Sequence, residues 1–164
     1  MQTVASDVAS ALAQLQQSAL VVAGQMRATN RVFYGHLAEV YVWWRSASAV
    51  DGYLDAEYAK ASIRFKRKVK HGVNFAPLFW LVWGRYNGLD DDKARRYSIV
   101  LNRFHDLYEA QKQYHTDTVA KLQNYLHAAG GIDGVVKDGV ADDEDDEDSI
   151  GDDAADGVRA RAVV

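Results

Sequence analysis

No cysteine occurs in the 164 residues, so the chain holds no disulfide framework and no thiolate site. That absence fits a reducing compartment. Proline is nearly missing as well: Pro77 stands alone. A chain with so little to interrupt it lets long helices run on. No extended apolar run is present. The longest block, FAPLFWLVW at residues 75–83, falls far short of the roughly 20 residues needed to span a bilayer. The opening residues MQTVASDVAS lack the positively charged start of a secretory signal. These features predict a soluble cytoplasmic protein that makes no membrane contact.

Chemistry-bearing motifs are missing too. There is no Gly-x-Ser-x-Gly, no Walker-type Gly-Lys-Ser/Thr and no Gly-x-Gly-x-x-Gly. Acid–base work needs two groups in one pocket with their pKa values pushed apart, and no spacing in the chain suggests such a pair. The protein is therefore read as non-enzymatic and without a cofactor. No stretch alternates with the period of a strand, and no internal repeat is found.

A hydrophobic content of 48% is enough for a core, and the length suits one domain with a tail. The net charge of −4 hides a division. Residues 1–136 hold 16 Lys and Arg against 12 Asp and Glu, a net +4. Residues 137–164 hold 3 against 11, a net −8. This acidic end has no aromatic residue and cannot bury enough surface to offset chain entropy, which predicts disorder. The expected division is an α-helical domain over residues 1–131 and an acidic disordered tail over 132–164, with IDGVVKDG as a linker at its start.

Apolar residues recur at spacings of three and four through Leu12, Leu15, Ala19, Val22, Met26, Phe33, Leu37, Val40 and Trp44. Ser6 or Asp7 suits an N-cap for this stretch. A break near Thr29 and Asn30 leaves open one long helix or two collinear ones. Asp51 suits the cap of a next helix running to about His71, where Gly72 can end it with a positive φ. Asn74 then caps a short helix with Pro77 in its first turn. That helix, APLFWLVW, is apolar on every face and so should be buried. Asp90 suits the cap of a last helix, helped by Asp91 and Asp92 at the positive end of its dipole. A second seam follows through Tyr97, Leu101, Phe104, Tyr108, Gln111, His115, Thr118, Leu122 and Tyr125, polar at its middle and ended by Gly130 and Gly131. The expected fold is an all-α helical bundle: two long antiparallel helices with two shorter ones packed against them. Seams of this length also suggest a homodimer.

His36 with Glu39, and His105 with Glu109, have helical spacing for shared metal ligation. A carboxylate-bridged di-metal site needs further glutamates and the Glu-x-x-His order. Neither is present, so no metal is expected.

The functional signal is electrostatic. Lys60, Arg64, Lys66, Arg67, Lys68, Lys70 and His71 fall on the non-apolar arc of the expected helix, with Ile63 the exception. Arg95, Arg96 and Arg103 form a second cationic set, and the short apolar helix between the two sets can bring both to one surface. Such a surface neutralises phosphates and releases counterions. Trp80 or Trp83 would stack on a base if exposed, but an all-round apolar helix argues for core. A helix–turn–helix is excluded, because its recognition helix would carry no polar side chain to read base edges. The expectation is a small regulatory or accessory protein that binds nucleic acid through a basic helix face without sequence preference, modulated by the acidic tail. The alternative is an interaction module that inhibits a nucleic-acid-processing protein. Its acidic run Asp142, Asp143, Glu144, Asp145, Asp146, Glu147 and Asp148 would imitate nucleic-acid charge.

Overall fold

The computed structural model describes residues 2–24, 30–64, 72–84 and 89–144. Over these the chain is all-α, with no strand. The helices are α1 (Gln2–Gly24), α2 (Asn30–Ser48), α3 (Tyr53–Lys60), α4 (Ala76–Trp83), α5 (Asp91–Ala110), α6 (Thr118–Ala128) and α7 (Gly131–Glu144). A 3-10 turn, Lys112–His115, joins α5 to α6. No described helix is long and apolar enough to cross a membrane.

The N-terminal seam is neither one helix nor two collinear ones. It is a hairpin. The Trp43 indole Nε1 donates to the Val8 carbonyl at 3.1 Å, so α2 runs back along α1. Val8, Leu12, Leu15 and Ala19 form the buried stripe of α1. Ser6 and Asp7 lie inside α1 and cap nothing, because the helix begins at Gln2. The long antiparallel pair is therefore α1 with α2, formed within the N-terminal seam and not between the two seams.

Helix α2 is the centre of the bundle and packs on α1, α3, α5 and α6. Its partner α5 runs parallel to it. Phe33 meets Tyr97 with ring centroids 5.2 Å apart. The Tyr41 hydroxyl is 3.0 Å from His105 Nδ1, and Arg45 pairs with Glu109 at 2.8 Å. These last two pairs are each separated by 64 residues, a constant offset that only parallel side-by-side helices give. Helix α6 closes the other side, with the Gln123 amide donating to the Arg31 carbonyl at 2.7 Å.

The C-terminal seam is also divided. Gln111 and Thr116 adopt extended backbone and Asp117 a left-handed one, which turns the chain between α5 and α6. Polar side chains secure the turn: His115 Nε2 bonds the Tyr108 carbonyl at 2.8 Å, and Thr118 Oγ1 donates to the Tyr114 carbonyl at 2.6 Å. A carbonyl can only accept, so His115 Nε2 carries a proton. The polar middle of the seam marked this turn.

Two expectations hold in detail. In α4, Pro77, Leu78, Phe79, Leu81, Val82 and Trp83 are buried, with Pro77 in the first turn; the cap position is Phe75 and not Asn74, whose side chain accepts from the Ala76 N–H at 3.3 Å one residue ahead of it. Asp90 caps α5 by accepting from the Lys93 N–H at 2.8 Å.

Two do not. Helix α3 stops at Lys60, eleven residues before His71. Ser62 takes a left-handed φ of 55°, the Ser62 N–H returns to the Ala59 carbonyl, and the Ile63 N–H returns to the Tyr58 carbonyl at 2.9 Å. This is a Schellman stop with serine where glycine is usual. At the start of α3 the cap position is Gly52 and not Asp51. The second difference is α7, a helix over the expected linker and the first part of the expected tail. Its glycines serve close packing: a Cβ at Gly134 would collide with the Ala129 carbonyl, and one at Gly139 would press on Ile99 of α5 at 2.9 Å.

Candidate nucleic-acid interface

Of the first cationic set, the described members are Lys60 and Arg64. Lys66, Arg67, Lys68, Lys70 and His71 lie outside the described residues. Lys60 ends α3, exposed, and pairs with Glu57 at 3.1 Å. Because α3 stops there, Arg64 sits beyond the helix, also exposed. It lines a cleft of about 400 Å³ with Ile63, Trp80, Leu89 and Asp91. Trp80 of α4 is half-buried and lines this cleft. Trp83 does not share that position. It is 5% exposed and packs edge-on against His36 at 4.8 Å and Phe33 at 6.3 Å.

The chain is held again at Gly72. Asn102 of α5 treats Val73 as a strand neighbour would: its Oδ1 accepts from the Val73 N–H at 2.8 Å, and its Nδ2 donates to the Val73 carbonyl at 2.9 Å. A second Nδ2 bond reaches the Ser98 carbonyl at 3.0 Å, and Ser98 Oγ accepts from the Phe75 N–H at 3.3 Å. Gly72 has φ 73°, and a Cβ there would run into Asn102 Oδ1. Glycine is required on both counts.

Asp91, Arg95, Ser98 and Asn102 follow one another at spacings of four, three and four, so they share one stripe of α5. That stripe meets the cleft at one end and Gly72 at the other. Arg95 lies between, exposed, with a loose 3.6 Å pairing to Asp92. Arg96 and Arg103 occupy a different stripe with Ile99, which faces α7. Arg96 is ion-paired to Asp133. Arg103 is half-buried beside Tyr125, whose phenol is raised by burial and partly lowered again by that charge. The expected second set thus divides: Arg95 stands on the face that carries Ser98 and Asn102, while Arg96 is paired to α7 through Asp133 and Arg103 lies beside Tyr125 of α6.

Asp142, Asp143 and Glu144 form the last residues of α7, and Asp145, Asp146, Glu147 and Asp148 lie outside the described residues.

His36 and His105 serve packing. His36 is 4% exposed, and burial pushes its pKa from 6.5 down to about 4, so the ring is neutral. Its Nε2 is buried with no hydrogen-bond partner, and its Nδ1 lies 3.9 Å from Glu39. His105 sits edge-on to Trp44 at 5.5 Å. Arg45 lies 3.8 Å over the Tyr108 ring and holds the Glu109 carboxyl below its usual pKa. Among the described residues no three His, Asp or Glu side chains converge as metal ligands would. Comparison with protein-family models, with curated proteins and with solved structures gives no match.

Proposed function

We propose that this is a small non-enzymatic accessory protein that binds single-stranded nucleic acid without sequence preference. The chain from Lys60 through Arg64 to His71, with Arg95, meets the phosphates, and the Trp80 cleft takes a base. The observation that supports this reading is the shared cleft: the first cation of a dense basic run and the half-buried Trp80 indole line the same cavity. Cations along a backbone track beside an aromatic platform are what a single strand engages, because every base has a π-face. Arg96 and Arg103 are left out, since they stand on the stripe of α5 that faces α6 and α7. A cytoplasmic setting fits the absence of cysteine.

Anisotropy of labelled single strands and duplexes, titrated with full-length protein across a salt series, tests the reading. The triple variant Arg64→Glu, Arg67→Glu, Lys68→Glu is expected to flatten the salt slope by about 2. Trp80→Leu keeps apolar bulk but removes the π-face, and should weaken single-strand binding by about 1–3 kcal/mol while leaving the salt slope in place. Unchanged affinity and slope in the triple variant, or no binding at low salt, would overturn it.

One observation favours the second reading, an inhibitor of a nucleic-acid-processing protein. The acidic run begins on α7, and α7 is fastened to α5 through Asp133 with Arg96 and through Gly139 with Ile99.

A further inference from the structure

Away from the basic face, α1 and α2 leave an apolar groove of about 610 Å³ between them, closed at one side by Val119 of α6. Its walls include Val4, Val8, Leu15, Val42 and Trp43. Val4 is 59% exposed, although it continues the stripe that is buried at Val8. The only charged side chains on the lining are Asp7 and Glu39, both acidic. Burial raises the Glu39 carboxyl pKa, the mark of a carboxylate that a cation would relieve.

We infer that residues 158–164, VRARAVV, dock in this groove as an intramolecular ligand. They lie outside the described residues, and three features of the sequence match them to it. The first is charge. Arg159 and Arg161 are the only charged groups of the segment and the only cations after Lys137, while every apolar residue around them is small or β-branched. An acidic tail that ends in two arginines among valines and alanines presents the complement of a groove with two carboxylates among valines.

The second is spacing. Trp43 lies opposite Val8, next to Asp7, and Glu39 sits one helical turn before Trp43. The carboxylates are therefore offset along the groove by about 6 Å. Two arginines separated by one residue in an extended chain are about 7 Å apart. Extension also turns Val158, Ala160 and Ala162 to the side opposite Arg159 and Arg161.

The third is reach. Thirteen residues lie between Glu144 and Val158, and that stretch of chain can span up to about 50 Å, against a radius of gyration of about 15 Å for the helical body. The groove is within range. A tether of this kind supplies an effective concentration of roughly millimolar, so a weak contact suffices to hold the segment.

The absence of cysteine makes the test direct. A nitroxide on Ala162→Cys in the full-length chain should broaden the amide signals of Val8, Leu15, Val42 and Ser46 and spare those of Arg95 and Asn102. Arg159→Glu with Arg161→Glu should abolish that pattern. Adding Asp7→Lys and Glu39→Lys should restore it; these groove positions are exposed, so the body keeps its fold. Broadening that is absent, or spread evenly over the surface, would overturn the inference. So would broadening that persists when spin-labelled chains without isotope are mixed into isotope-labelled chains without the nitroxide, because a second copy would then be the occupant. The readout is independent of nucleic acid and stands whether or not the basic face binds it.

Discussion

Residues 60–71 and residues 75–83 are neighbours in the chain and opposites in composition. The first stretch carries seven cationic or titratable positions, and its described ends, Lys60 and Arg64, are exposed. The second is an eight-residue helix with its flanking Phe75, and most of it is buried. Their difference assigns the work. The apolar helix gives α1 and α5 a surface to close on, and the join between the two stretches, Gly72 to Phe75, is bonded to Asn102 and Ser98. The charged stretch thus joins the packed body at its two described flanks: Ile63 rests against the core on one side, and Val73 is bonded to Asn102 on the other.

The sharpest break of that comparison is in stability. Phe79 is fully buried between Trp83 and Tyr97, each 5.5 Å away. Phe79→Ala is expected to cost about 3–5 kcal/mol in urea unfolding. Arg67→Ala on the other side of the join should stay within about 0.5 kcal/mol. Similar losses from the two substitutions would show the basic stretch to be part of the packed body.

Acid should strain the apolar side next. The unfolded His36 takes up a proton as pH falls through 6.5, but the folded one resists until about pH 4. Its contribution is therefore whole above pH 6.5 and declines from there to about pH 4, by about 3 kcal/mol. Glu39, whose pKa burial raises, works in the opposite sense. His36→Leu isolates the histidine: subtracting its unfolding profile from that of the parent should leave this decline, and parallel profiles would refute it.

The smallest effect falls on the join. Asn102→Ala strands the Val73 N–H and carbonyl and should cost about 1–3 kcal/mol. Its more telling effect is on amide exchange, which should quicken at Val73 and Phe75 while the centre of α2 stays protected. Uniform acceleration would mean that the join is not a separate anchor.

Much of the fold was legible in the chain. The burial of α4, the Asp90 cap and the stop at Gly130 and Gly131 follow from local chemistry, and positive φ at both glycines confirms the last. The Ser62 stop was not legible, because serine rarely adopts a left-handed φ and Gly72 offered the better signal. Helix α7 was missed for a related reason. Its glycines read as a flexible linker, whereas Gly134 and Gly139 are small because backbone and Ile99 press against them. For the candidate interface, charge density was visible in the sequence but direction was not. Arg95 and Arg96 are adjacent in the chain, and only the position of α7 tells which one is engaged.

The parallel register of α2 and α5 also bears on how the protein reaches its fold. Helix bundles usually assemble from local hairpins and so fold quickly. Here the α1–α2 hairpin is local, as are the packing of α4 on α5 and of α6 on α7, but the contacts of α2 with α5 and α6 are not. The pairings of Tyr41 with His105 and Arg45 with Glu109 each close a loop of 64 residues, and the bond from Gln123 to Arg31 closes one of 92. Closing loops of that length is expected to slow folding below the rate that the helix content alone would set.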